Sequence, residues 1–224
     1  MLALLFAVAL SWLGAVGPFL ALELRDKGVE GWAFALAMTA MPLSRLLLGP
    51  LWGALADRWR AESRMLLLAA VLSTSATLAV WWAPAALAPL LVFVMAGSRV
   101  GVMPLIDTHA TRALGTGYGR VRAWGSVGFL LAAVGASAAR EHLGISTLSL
   151  GALLGLLALP LCLTLPSGGG GSQVAILPAL RELLGQKTVR WLLLAAALHF
   201  AGHSGYHSYF AVHVESLGLG DQWT

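Results

Sequence analysis

Apolar blocks close to the roughly 20 residues that a helix needs to cross a bilayer follow one another along almost the whole chain, and the links between them are short and charged. Soluble domains need charge on their surface, about a quarter of all residues. Here only 11% of 224 residues are charged and 58% are hydrophobic, too little polarity to cover a water-facing globule. The 26 glycines fall inside the apolar blocks, where small residues let membrane helices approach closely. These features predict an all-α membrane protein, embedded in a lipid bilayer, with about seven spanning helices.

The first block, Met1 to Leu22, lacks the basic start and small-residue cleavage site of a signal peptide and is read as a retained helix. Predicted spans run over residues 2–24, 32–56, 65–82, 87–108, 121–139, 146–165 and 189–214, with Pro18, Pro42 and Pro50 inside the first two. Between the sixth and seventh lies a stretch opening with Ser167-Gly168-Gly169-Gly170-Gly171-Ser172, a flexible tether. Ile176, Leu177, Leu180, Leu183 and Leu184 then form a helical stripe expected to lie on the membrane surface. The expected division is residues 1–165 as a six-helix unit, 166–188 as a link and 189–224 as the first helix of a second unit.

The net charge of +4 would suggest nucleic acid in a soluble protein. In this chain it follows orientation, and no nucleic-acid partner is expected. Nine of the 14 Lys and Arg residues fall in the links after even-numbered spans and three in the links after odd-numbered ones, with Arg45 and Arg99 inside spans. That bias predicts a cytoplasmic N-terminus. Cys162 is the single cysteine, which excludes an internal disulfide and a cysteine-based zinc site. No phosphate-binding loop, serine elbow or metal-protease signature is present, so neither ATP-driven work nor enzymatic chemistry nor a cofactor is expected.

Gly49-Pro50-Leu51-Trp52-Gly53-Ala54-Leu55-Ala56-Asp57-Arg58 closes the second span. Gly49 and Gly53, four apart, share a face suited to close helix contact, and Asp57 and Arg58 follow at the membrane surface. Tyr118-Gly119-Arg120-Val121-Arg122-Ala123-Trp124-Gly125-Ser126 opens the fifth span, downstream of Pro104-Leu105-Ile106-Asp107. An acid near membrane depth costs several kcal/mol unless paired or hydrated, and Arg122 on the next helix is its natural partner. Arg45 and Arg99 are further charges within spans, read either as residues lining a polar cavity or as structural and snorkelling side chains. His199, His203 and His207 recur every four residues in the seventh span, with Tyr206 and Tyr209 beside them. They suit proton relay or hydrogen bonding to a ligand, structural packing, or a metal. One helix alone supplies a poor tetrahedral set, so no metal ligands are assigned.

The first of these motifs resembles the Gly-x-x-x-Asp-Arg/Lys-x-Gly loop of the major facilitator superfamily, with Arg60 at the later glycine. The second resembles its lactose-permease-like branch, which includes the phenylpropionate and nucleoside proton symporters. The resemblance implies a six-helix half of two inverted three-helix repeats plus the first helix of a second half. It also implies a secondary carrier of a small organic solute, coupled to H+ and housed in a bacterial plasma membrane. Gly49, Gly53, Asp57 and Arg58 would then form a conformational latch. Asp107 and Arg122 would contact solute, joined by Arg99 and Arg45, with His203, His207 and Tyr206 from the other half. On this reading the chain needs a second half or a second copy to complete a cycle. The competing expectations are a non-transporting assembly partner or remnant, and a membrane metal or haem protein built on the histidines.

Overall fold

A computed structural model of the chain describes residues 1–59, 61–165 and 176–218. Among these every regular element is helical: α1 (Leu2–Val16), α2 (Leu20–Asp26), α3 (Gly31–Trp59), α4 (Glu62–Trp82), α5 (Ala88–Leu114), α6 (Tyr118–Leu143), α7 (Thr147–Leu163), α8 (Ile176–Gly185) and α9 (Lys187–Ser216). A helix satisfies its own backbone hydrogen bonds, which hydrocarbon cannot do for it. The glycine-rich tether at 167–172 lies outside the described residues.

α3 and α4 are each long and apolar enough to cross a membrane. The helical stretch 85–143 would be about 90 Å long if straight, three bilayer cores. It divides instead at the 3-10 turn Gly115–Gly117 into α5 and α6. Gly115 takes a φ of +51° there, a conformation that side chains resist. The first span is less regular than the sequence suggests: α1 and α2 meet at 47°. Pro18 follows Gly17 at the break and has no N–H to continue the ladder. α7 is apolar but only 17 residues long.

The helices pack as two exchangeable sets. α1 lies along α6 and α7, α3 along α5, and α4 along α5 and α7. Swapping the bent first span with α5, α3 with α6 and α4 with α7 turns α1–α6 into α5–α3 and α1–α7 into α5–α4, and it leaves α4–α7 unchanged. That is the signature of two three-helix repeats.

Both members of the first pair are glycine seams. A Cβ on Gly14 would collide with the Phe129 carbonyl, and one on Gly128 with the backbone of Ala7. Across the equivalent α3–α5 seam, Gly97 meets Leu48 and Gly101 meets the ring of Trp52. Hydrogen bonds lock the seams, from Ser11 Oγ to the Gly128 carbonyl at 2.9 Å and from Trp52 Nε1 to the Gly97 carbonyl at 2.7 Å. Among the described residues two large apolar clusters, one around Trp12, Leu20, Val80 and Met95 and one around Leu5, Phe6, Leu66 and Ile106, fill the interior with a smaller third around Phe19 and Leu22. Trp124, Leu130, Leu131 and Val134 of α6 point outward, as lipid-facing side chains should.

Because successive spans alternate, the molecule has a near side, which holds Met1, and a far side, which holds the α2–α3 link. The far side is tied by Glu23 of α2. Its buried carboxylate accepts from Thr147 N and Ser146 Oγ, each at 2.6 Å, and from Thr147 Oγ1 at 2.9 Å. It thereby caps the N-terminus of α7, where orphan N–H groups favour an anion. Arg140 of α6 sits 3.5 Å from Glu23 and 2.7 Å from Asp26. The sequence alone suggests an interfacial acid here; the structure makes it a three-helix clamp. Nearby, Lys27 donates to the Trp81 carbonyl. Partial burial pulls its ammonium below the ordinary lysine range, against the opposing pull of Glu23.

Candidate functional site

On the near side, α5 and α6 bring Asp107 and Arg122 together. Tyr118 stands between them. Its hydroxyl donates to Asp107 Oδ1 at 2.7 Å and accepts from Arg122 Nη1 at 2.6 Å, while the direct separation from Arg122 to Asp107 is 3.9 Å. The local fold dictates this. The turn Gly115–Gly117 reverses the chain, so the second turn of α6 returns to the level of Asp107, two turns inside α5. Tyr118 is fixed by an edge-on contact with Phe6 of α1, ring centroids 6.2 Å apart, and the Arg122 guanidinium lies over its ring. Arg122 is about half exposed and Asp107 about a quarter. The cluster is thus open to a ligand while remaining paired. It offers an acid, a phenol and a planar guanidinium fork, groups that grip hydroxyls and carboxylates.

A second near-side cluster lies beyond the residues singled out from sequence. Buried Glu62, in the first turn of α4, receives Arg112 of α5, with Nη1 2.6 and 2.7 Å from its two oxygens. His109 Nε2 sits 3.4 Å from Ser63 Oγ and 4.0 Å from the Glu62 carboxylate. An acid just past a loop motif looks like surface charge in one dimension. What distinguishes it is burial, which only the packing of α4 on α5 reveals.

Between these helices and the end of α3 is a recess of about 120 Å³, lined by Trp52, Gly53, Asp57, Glu62, Pro104 and Thr108 among others. Asp57 lines it and is exposed, Arg58 is exposed next in sequence, and among the described residues neither forms an ion pair. The expected close helix contact through Gly49 and Gly53 is absent. Among the described residues nothing lies within 4 Å of a Cβ placed on Gly53, and only Val100 Cγ2, at 3.9 Å, approaches one on Gly49. The tight glycines of this seam belong to α5, because Trp52 and Leu48 need their space.

The other charged positions are dispersed. Arg99 crosses from α5 to α1, where its guanidinium donates to the Ala9 carbonyl and lies 4.6 Å from the Trp12 ring. It sits in the interior of the six-helix unit. Arg45 is exposed at mid-length on α3. In α9, Tyr206 is exposed and packs against Phe210, with ring centroids 4.7 Å apart. The side chains of His203 and His207 lie outside the described residues. α9 meets the first unit through its far end. Arg25 Nη1 pairs with Glu215 Oε2 at 3.0 Å, Phe34 packs on Tyr209, and Val214 is buried. Its near-side half, through Leu198, is largely exposed.

No solved structure matches the chain. Among curated proteins it is 31% identical over 214 residues to the maltose permease of Geobacillus stearothermophilus, covering 92% of this chain and 54% of the relative. The chain therefore spans about half the length of that protein. The model of the MFS_1 like family matches residues 1–223. With its exchangeable three-helix sets, its apolar exterior and these matches, this multi-pass integral membrane chain belongs to the MFS_1 like family of major facilitator transporters, which move solutes across the bilayer and are not enzymes.

Proposed function

We propose that the chain forms the first half of a secondary carrier, with the opening helix of the second half. On this reading it moves a small organic solute with H+ by alternating access. The observation that carries it is the Asp107–Tyr118–Arg122 cluster, a paired yet accessible polar site at membrane depth. Charges at such depth are costly, and those that are kept commonly mark a pathway. A contact of α9 at the far side combined with exposure of its near-side half supports a cavity between halves that opens to the near side. The excess of Lys and Arg on that side supports a cytoplasmic near side, and the likeness to a bacterial permease supports a bacterial plasma membrane. Asp57, lining the near-side recess, and the exposed Arg58 beside it fit a latch closed by residues of the second half. His203, His207 and Tyr206 would approach the solute from that half.

The likeness to a maltose permease makes maltose the first solute to test. Uptake by the full-length protein in liposomes should follow an imposed inward proton gradient and collapse with a protonophore. Arg122→Ala should lower uptake by about tenfold or more, the equivalent of losing one charge-assisted contact. Wild-type uptake in that variant would remove Arg122 from the pathway. Gradient-independent uptake would remove the proton.

A further inference from the structure

We infer that His109, held against buried Glu62, is the group that hands the carried proton to near-side water; this deepens the transport reading above and rests on it. Glu62 stands in the first turn of α4, where orphan backbone N–H groups already favour an anion. Arg112 of α5 reaches both of its oxygens. The ion pair that a buried carboxylate needs is thus complete without a second base. His109 lies one turn before Arg112 on the same face of α5 and is buried. It nonetheless brings Nε2 to 4.0 Å from that carboxylate and to 3.4 Å from Ser63 Oγ. Glu62 favours the imidazolium and Arg112 opposes it. An imidazole between such neighbours takes up a proton and gives it back, which a permanently charged arginine does not.

The neighbouring helices leave the exchange to this imidazole. From α3, the exposed Asp57 lines the same recess of about 120 Å³ as Glu62, which gives near-side water a route to the carboxylate. Arg58 of α3, Arg64 of α4 and Arg120 of α6 are exposed. Tyr118 and Arg122 of α6 are turned to Asp107. α1 carries no titratable side chain, and α7 carries only Cys162. At about 100° per residue, His109 lies about 160° around α5 from Asp107. One face of α5 therefore holds the solute cluster and the opposite face the proton cluster. The step is a single transfer. The imidazolium gives a proton from Nε2 to water of the recess and becomes neutral imidazole, beside an intact Glu62–Arg112 pair. With the proton, His109 is drawn to Glu62 and α5 is held more tightly on α4. Without it, that hold loosens on the helix that carries Asp107.

The test separates proton movement from solute movement in the full-length protein, reconstituted in weakly buffered liposomes with maltose as the probe. Two rates are read: the proton flux driven by a maltose gradient, followed with a trapped pH dye, and the exchange of labelled for unlabelled maltose without any gradient. His109→Gln keeps a polar side chain for Ser63 but cannot carry a proton. It should lower the maltose-driven proton flux at least about tenfold while exchange continues at the wild-type rate. Glu62→Gln removes the charge that favours the imidazolium, so it should move the pH dependence of the coupled flux to lower pH. His109→Asn repeats the first measurement should His109→Gln fail to fold. Undiminished proton flux in the His109 variants would overturn the inference and leave the carrier reading intact. Loss of exchange together with proton flux in both would make His109 structural and overturn it equally. Wild-type protein that exchanges maltose without moving protons would fail the proton-coupled reading above, and this inference with it.

Discussion

At the scale of single residues, the chain separates charges held for structure from charges held open. Glu23 and Glu62 are buried and fully engaged, whereas Asp107 and Arg122 remain accessible and meet through Tyr118. Removing the phenol hydroxyl leaves acid and base 3.9 Å apart with no bridging donor, at a cost of about 1.5–3 kcal/mol in charge-assisted bonding. Tyr118→Phe is therefore expected to raise the apparent KM for solute by about tenfold without lowering the melting temperature in detergent, since the ring contact with Phe6 survives. An unchanged KM would make the hydroxyl incidental. The sequence made Asp107 and Arg122 legible because charge inside an apolar block is conspicuous. Tyr118 was hidden in plain view within the same motif, since a tyrosine at a helix start is equally at home at a lipid interface.

At the scale of elements, the helices were readable from their apolar lengths, and most boundaries fall within a few residues of those expected. What composition could not convey was direction around each helix. Gly49 and Gly53 have the spacing of a tight contact, yet the tight contacts belong to Gly97, Gly101, Gly14 and Gly128. A spacing marks a face without naming the neighbour. Gly53→Ala should accordingly be neutral in folding. Gly128→Leu should lower thermal stability sharply, since overpacking against backbone costs about 1–3 kcal/mol or more. Melting of both variants in detergent checks the contrast, and equal effects would refute the seam. The bend between α1 and α2 teaches a related lesson. Pro18 was visible, but proline is tolerated in membrane helices, and only its place next to Gly17 and the far-side clamp turns tolerance into a 47° break.

At the scale of the whole molecule, the first six spans form one interlocked unit, and α9 meets it through a small far-side contact. An exposed ion pair such as Arg25–Glu215 contributes about 0–1 kcal/mol, so the union is weak beside the glycine seams. A protease site inserted into the glycine run at 167–172 tests this. After cleavage the residues 1–165 should keep their melting temperature, and Arg25→Glu should speed the loss of the α9 fragment during gel filtration. A large fall in melting on cleavage would show that the seventh helix supports the first six. The all-α membrane character, a run of long apolar helices, was legible at this scale. The pairing of α1 with α6 was not, because nothing in a linear pattern says which apolar face seeks which.

That pairing bears on how the chain is made. Ser11 bonds to a residue 117 positions later, and Glu23 to one 124 positions later. When the first span leaves the ribosome, the glycine face of α1 and the clamp acid of α2 lack these partners, and they acquire them only after α6 and the start of α7 emerge. The first span must therefore wait, held by the insertion machinery or by lipid, until synthesis has passed Thr147. A nascent chain arrested before Gly128 carries an unfinished α1, and quality control that recognises unpaired polar groups in the bilayer would find them there first.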